Sequence, residues 1–336
     1  MPNRGELLTF ADDEVVLWHG AQPTRLEGLR PDTPVEVDGV EARTLPRRGQ
    51  LLCRVATVND VHFGETVAGH IDGLEGYETF SVGPGEEPYP EVMNRGAVRD
   101  INSWDPDLVV VKGDLTSNGT AAEYAQFERM YRPAFGDRLV AVRGNHESYH
   151  HLAVANEPTQ ERNLPGVTVA VLDTSRDGFA NGTITSDQFE WLDELGSRAD
   201  RPVLVFGHHP VWDAEHDERS DRTFGLSPDA TDTLVETFVR RPRLVGYFAG
   251  HTHRNHVVRM AARPEVPFAE VACVKDFPGS WAEYRVFDGG ILQVHRRIST
   301  ADALAWTERT RGMYEGGYPS YARGKRHERC FEVCHT

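Results

Sequence analysis

The chain has 336 residues and a formal net charge of −16, with 52 acidic side chains against 36 basic ones, a balance that repels nucleic acid and anionic lipid and argues against a polyanion-binding module. A hydrophobic content of 39% with 31 Gly and 20 Pro describes a loop-rich globule and excludes the core-poor composition of a disordered chain. No apolar run approaches the ~20 residues of a membrane span, and residues 1–14 lack the roughly 7–15-residue apolar stretch of a secretory signal, so a cytoplasmic chain without a membrane span is expected. Single cores stop growing near about 250–300 residues, which predicts one large domain, here 49–299, flanked by a small β appendage over 1–48 and an irregular tail over 300–336. In the appendage, 14–19 and 35–44 read as short strands separated by the turn formers Gly28, Pro31, Asp32 and Pro34.

The run Leu29-Arg30-Pro31-Asp32-Thr33-Pro34-Val35-Glu36-Val37 resembles the end of a fibronectin type III unit, with Val35 where that family usually has Tyr. The resemblance implies a truncated sandwich packed on the main domain. From Leu51 onward apolar runs alternate with helix-like stretches, the signature of a layered α/β domain. Strands are predicted at 52–58, 108–111, 139–142, 167–172, 203–206 and 244–248, and helices at 121–131 and 187–195, the second starting at Ser186. Further on, 266–274 and 283–297 read as strands, with Asp288-Gly289-Gly290 as a hairpin turn. The tail carries Gly312, Gly316, Gly317, Pro319 and Gly324 and no periodic pattern. Of the four cysteines, Cys53, Cys273, Cys330 and Cys334, none belongs to a disulfide framework at this chain length. Cys330, Cys334 and His335 lack the fourth ligand of a closed thiolate site and read as an ordinary terminus.

Five of the six runs deliver polar residues at their carboxyl ends, where open α/β sheets place ligands. These are Asp60-Val61-His62, Gly113-Asp114, Gly144-Asn145-His146-Glu147, Gly207-His208-His209 and Gly250-His251-Thr252-His253. Asp60 and His62 are two apart, so on an extended strand end both project to one side and can grip one ion. Asp114 offers two oxygens and can bridge two cations, Asn145 a neutral amide oxygen, and His208, His251 and His253 imidazole nitrogens. Mixed nitrogen and oxygen donors suit transition ions such as Mn, Fe, Co, Ni or Zn better than Ca or Mg alone.

Taken in order, the segments resemble the motif series of the calcineurin-like metallophosphoesterase superfamily: Asp-x-His, Gly-Asp, Gly-Asn-His-Asp/Glu, His, and Gly-His-x-His. The resemblance implies a four-layer αββα sandwich of two mixed sheets flanked by helices. It implies one ion, most simply Mn, Fe or Zn, held by Asp60, His62, Asp114 and His253, and a second held by Asp114, Asn145, His208 and His251, with a hydroxide between them as nucleophile. His146 would be the catalytic residue that protonates the leaving oxygen or stabilises charge on it. Position 117 is Ser where purple acid phosphatases carry a Tyr, so a tyrosinate-bound ferric site is not expected. The form Gly113-Asp114-Leu115-Thr116 with Arg143-Gly144-Asn145-His146-Glu147 looks like the bacterial class III cyclic-nucleotide phosphodiesterase branch, whose C-terminal segments Arg329-Cys330-Phe331 also resembles.

The implied activity is hydrolysis of a small phosphodiester, a cyclic nucleotide among them. Alternatives are a phosphomonoesterase with the same site, or a non-catalytic scaffold of the same fold. Glu147 orients His146 or caps its turn, and His209 meets substrate or bonds a carbonyl behind the site. His150 and His151 read as solvated loop histidines, and Asn118-Gly119-Thr120 and Asn181-Gly182-Thr183 as turns. Trp212, Trp281 and Tyr284 read as core aromatics, with stacking on a base as the other reading. The long stretch 64–90 reads as a lid over the metals or a mobile loop. The tail at 313–331 either exchanges between subunits of a homodimer or packs on its own domain.

Overall fold

The computed structural model describes residues 5–70, 76–213, 218–220 and 223–335. In chain order the elements are β1 (Glu6–Phe10), β2 (Glu14–His19), β3 (Gln22–Glu27), β4 (Pro34–Val37), β5 (Val40–Arg43), β6 (Leu51–Val58), α1 (Tyr89–Trp104), β7 (Leu108–Lys112), α2 (Ala121–Phe135), β8 (Leu139–Val142), α3 (Asn145–Tyr149) and β9 (Thr159–Leu164). They continue as β10 (Val167–Leu172), α4 (Ser186–Arg198), β11 (Val203–Phe206), α5 (Pro228–Arg240), β12 (Leu244–Ala249), β13 (His256–Val258), β14 (Phe268–Glu270), β15 (Ser280–Phe287) and β16 (Gly290–Arg297). The chain closes with α6 (Ala301–Thr310), α7 (Tyr318–Arg323), α8 (Arg326–Arg329) and β17 (Phe331–His335).

Two six-stranded mixed sheets carry the domain, ordered β17-β16-β15-β6-β7-β8 and β13-β14-β12-β11-β10-β9. Their central strands are parallel and buried on both faces, which is why they read as continuous apolar runs. Between the sheets Val55, Val110, Val169, Phe206, Phe248 and Tyr284 form one core, with Tyr284 edge-on to Phe206 and Phe248 at 5.3 and 4.8 Å. The outer face of the first sheet is covered by apolar residues of α1, α2 and α6, that of the second by α4 and α5. Helix, sheet, sheet and helix thus form the expected four layers. The Asp288-Gly289 turn joins β15 to β16 as expected.

Several local expectations are corrected. The stretch 35–44 is not one strand but the hairpin β4–β5, turned at Asp38 and Gly39 with φ of 47° and 74°, and β1 and β3 complete a second small sheet around β2. The strand expected at 266–274 shortens to β14. Helix α4 does start at Ser186, and the residue before it, Thr185, is the cap, its side chain accepting from the Gln188 amide. The tail after Ser299 is not irregular: it folds into α6, α7 and α8, and β17 pairs antiparallel with β16 of the same chain. Tertiary partners supply the order that its glycines withhold. Trp306 donates to the Lys275 carbonyl at 2.9 Å and Tyr318 to the Asp276 carboxylate at 2.5 Å. Within the expected lid, Ala68 pairs with Phe80, while residues 71–75 lie outside the described residues. No helix among the described residues is long and apolar enough to cross a membrane.

Candidate metal centre

The two sheets face each other with the carboxyl ends of β6, β7 and β8 opposite those of β11 and β12, so five strand ends converge. Asp60 and His62 follow β6, Asp114 follows β7, Asn145 and His146 open α3 after β8, His208 and His209 follow β11, and His251 and His253 follow β12. Asp60, His62, Asp114, His208 and His209 are all at most 2% exposed. Nε2 of His208 lies 3.3 Å and Nε2 of His62 3.5 Å from Oδ2 of Asp114, and His208 Nε2 is 3.0 Å from the Asn145 amide oxygen. Nε2 of His253 is 3.8 Å from Oδ1 of Asp60, and the His251 ring centroid is 5.0 Å from that of His208. All eight predicted residues are brought together.

The backbone is bent to achieve this. Asp60, His62, Asp114, His251 and His253 all have positive φ, between 47° and 74°, each costing on the order of 1 kcal/mol or more, a form of strain that collects at functional sites. Two glycines make room: a Cβ on Gly113 would sit 2.4 Å from the His208 ring, and one on Gly144 2.1 Å from the Asp114 carboxylate. Asn94 of α1 donates to the Val61 carbonyl at 2.8 Å and is itself fixed by Tyr131 of α2 at 2.7 Å. Helices on the outer layer thereby hold the Asp60–His62 turn.

The donors fit cations. Both ring nitrogens of His62 and one each of His209 and His251 are buried without a hydrogen-bond partner, a state that native interiors rarely leave unexplained. Burial, with help from neighbouring imidazoles, holds His62 and His253 well below the usual histidine range and His251 at about 3, so they stand neutral, as metal ligands must. Burial also pushes Asp60 up to about 6. His208 is pulled down by burial, yet Asp114 and Asp60 override that and raise it to about 9. The two carboxylates thus favour positive charge at His208, which a bound cation would supply in place of that proton. Ligand atoms of Asp60, His62 and His253 lie within 4.8 Å of one another, as do those of Asp60, Asp114 and His208.

His146 differs from the ligand candidates. Its Nδ1 is 2.7 Å from the Ser117 carbonyl, which fixes the proton there and turns Nε2 towards Asp114 at 4.0 Å, with the side chain 32% exposed. Burial opposes its charge, but Asp114 raises it above the ordinary histidine value. Glu147 caps the turn, accepting from the amides of Gly144 and Thr116, both at 2.7 Å. His209 is buried, with Nδ1 on the Thr174 hydroxyl at 2.9 Å and its ring 4.8 Å from that of His251. His150 and His151 are exposed. Thr120 caps α2, and Asn181 is buried beside the bridge from Gly182 to Leu226. Trp281 and Tyr284 are core residues at 4% and 0% exposure.

Sequence reading missed a charged cluster behind the His62 and His253 side of the site. Buried Lys275 pairs with Glu65 at 2.7 Å, and Asp276 takes hydrogen bonds from Cys273 and Tyr318. Its carboxylate comes within 4.8 Å of a His253 nitrogen. These residues follow β14 with no spacing signal, and only the tail packing on them fixes their place. Lys112, one residue beyond the strand expected at 108–111, is also part of the floor: its carbonyl takes the His208 ring at 2.8 Å, and its buried ammonium, depressed to about 7 by burial, donates to Ala249.

The family model for calcineurin-like phosphoesterases matches residues 53–255. A probable glycerophosphodiester phosphodiesterase of Arcobacter nitrofigilis is 25% identical over 236 residues, 64% of this chain and 82% of that protein. The 3′,5′-cyclic adenosine monophosphate phosphodiesterase of Escherichia coli is 27% identical over 221 residues, 63% of this chain and 73% of that one. A cAMP/cGMP dual specificity phosphodiesterase of Mycobacterium tuberculosis is 31% identical over 36% of this chain and 40% of its own. Among solved structures, a dimetal phosphatase from Danio rerio shares the fold with a TM-score of 0.56 and 16% identity, covering 74% of this chain and 97% of that one.

Proposed function

The chain belongs to the calcineurin-like phosphoesterase family, and we propose that it is a cytoplasmic hydrolase of small phosphodiesters working with two transition ions, Mn, Fe or Zn. One ion would be held by Asp60, His62, Asp114 and His253, the other by Asp114, Asn145, His208 and His251. Bound there, the ions offset charge on the phosphoryl oxygens and lower the pKa of water. The observation that carries this reading is the set of buried, unpartnered imidazole nitrogens around one shared carboxylate.

The chain's own groups have separable tasks. Asp114 faces His62, His208 and His146 at once, which suits a bridging ligand. His146, more open than the buried ligands and anchored through Nδ1, would carry a proton on Nε2 to the departing oxygen. A general acid needs reach and a charged state near neutral pH, and the pull of Asp114 supplies the second.

Relatives named as diesterases of two kinds support diester over monoester chemistry. The test is a substrate panel on protein reconstituted with each metal: bis-aryl phosphate, cyclic nucleotides, a glycerophosphodiester and an aryl monoester. Diester turnover above monoester turnover is expected; the reverse order would make the chain a phosphomonoesterase.

A further inference from the structure

Among the described residues, the aromatic side chains that stand exposed are Tyr77, Tyr149, Phe179, Phe224 and Tyr321. Singly exposed apolar residues need no explanation, but a gathering of them does, and three of these border the candidate metal centre. The Tyr149 ring is 6.4 Å from His146, the Phe224 ring is 6.3 Å from His251, and the Tyr321 hydroxyl donates to the carbonyl of Thr252, between His251 and His253, at 2.8 Å. Phe179 sits on the loop that joins two of these places: Ser148, beside Tyr149, donates to the Arg176 carbonyl, and the Gly182 amide donates to the carbonyl of Gly225, beside Phe224, at 3.0 Å.

Phe224 is the most open of the set at 67%, and its backbone is fixed. Leu226 donates to the Pro210 carbonyl at 2.7 Å, the Gly225 amide bonds Thr223 at 2.8 Å, and a Cβ on Gly225 would fall 2.6 Å from the Pro210 oxygen. A ring beside a backbone so constrained, with its centroid 6.3 Å from that of the candidate ligand His251, is held at the mouth of the site without being used by the core.

We infer that Phe224 is a specificity-determining residue: its ring is the platform on which the base of a nucleoside phosphodiester stacks, with Tyr149 as the wall on the His146 side. Every base has a π-face and a glycerol or alkyl substituent has none, so the platform selects nucleoside diesters over glycerol diesters while distinguishing little between adenine and guanine. The inference rests on the phosphodiesterase reading of the same site.

The test uses the full chain reconstituted with Mn²⁺, comparing wild type, Phe224→Ala, Phe224→Tyr and Tyr149→Ala. Turnover of 3′,5′-cyclic AMP, 3′,5′-cyclic GMP and glycerophosphoethanolamine is measured alongside calorimetric binding of 5′-AMP and glycerol 3-phosphate. For Phe224→Ala, KM for both cyclic nucleotides and Kd for 5′-AMP should rise about fivefold to a hundredfold, the range of one lost base stack. Its kcat and both glycerol ligands should be little changed, Phe224→Tyr should recover wild-type values, and Tyr149→Ala should shift in the same direction by a smaller factor. Equal losses on nucleotide and glycerol diesters would overturn the platform, as would unchanged 5′-AMP affinity in Phe224→Ala. If the wild type turned over no diester, the underlying activity would fail on its own, and the 5′-AMP measurement would still decide the platform.

Discussion

Oδ2 of Asp114 and Nε2 of His208 lie 3.3 Å apart in a buried site, one from each of the two sheets. The same oxygen is 3.5 Å from His62, so one carboxylate oxygen of Asp114 faces a candidate ligand of each ion. Asp114→Ala should therefore leave a folded chain that retains less than one transition ion after reconstitution, where the wild type retains two. Metal analysis after gel filtration measures this, and an unchanged metal content would end the bridging assignment.

His146 should behave differently. Its ring is anchored by Ser117 and it contributes its backbone amide, not its side chain, to holding Asp114 at 3.1 Å. His146→Ala keeps that amide, so both ions should stay bound while turnover falls by about 10²–10⁴-fold, the size of a general-acid contribution. The loss should shrink on diesters with very acidic leaving groups, which depart without a proton. Steady-state kinetics on a series of aryl diesters checks both points; a uniform loss across the series would favour a charge-stabilising role.

The site was more legible in the sequence than the layers that support it. Buried parallel strands read as unbroken apolar runs, and polar residues at their ends stand out against them, so Asp60, Asp114 and His208 could be found without any knowledge of the helices. Helix α1 was missed although Tyr89, Met93, Ala97 and Ile101 recur at a spacing of four, because Asn94, Arg95 and Gly96 dilute the stripe and it follows a long loop. Helix α5 hid in the same way behind Thr231, Thr233 and Thr237, despite a Ser227 cap and Pro228 at its start. Asp38-Gly39 is a strong hairpin signal that the reading of 35–44 as one strand passed over. The Lys275 and Asp276 cluster had no local signal, since its partners Glu65, Trp306 and Tyr318 come from distant parts of the chain.

The N-terminal sheet is tied to the catalytic domain by a buried charge network. Arg296 of β16 bonds both Glu14 of β2 and Glu283 of β15, and Arg285 reaches Asp12, Asp13 and Glu283. Removing one member of a buried pair strands a charge and costs about 3–5 kcal/mol. Arg296→Ala should fall near the lower end, because Arg285 still faces both acids. Urea unfolding measures the loss, and the centre's metal content should be unchanged; an unfolding midpoint equal to wild type would mean the network contributes no net stability.

His256 at the edge strand β13 bridges Glu328 of α8 at 3.0 Å and Asp213 at 3.2 Å, fastening the C-terminal segment to the second sheet. The Glu328 bond raises His256 above its ordinary value of 6.5, with burial opposing. Burial pushes Glu328 up, but the bonds from His256 and the Lys325 amide outweigh it and bring it down from 4.5 to about 2. For the raised histidine, stability is fully present below pH 6.5 and is lost as pH rises through its folded value. For the depressed carboxylate, it is present above pH 4.5 and is lost as pH falls towards 2. Glu328→Gln should therefore be less stable than wild type by about 1.5–3 kcal/mol, the range for a hydrogen bond to a charged group, in the window between pH 4.5 and 6.5. The gap should narrow on both sides of that window. Unfolding midpoints of the two proteins across pH measure it, and a gap that persists undiminished to alkaline pH would show that the protonated His256 contributes nothing to the fastening.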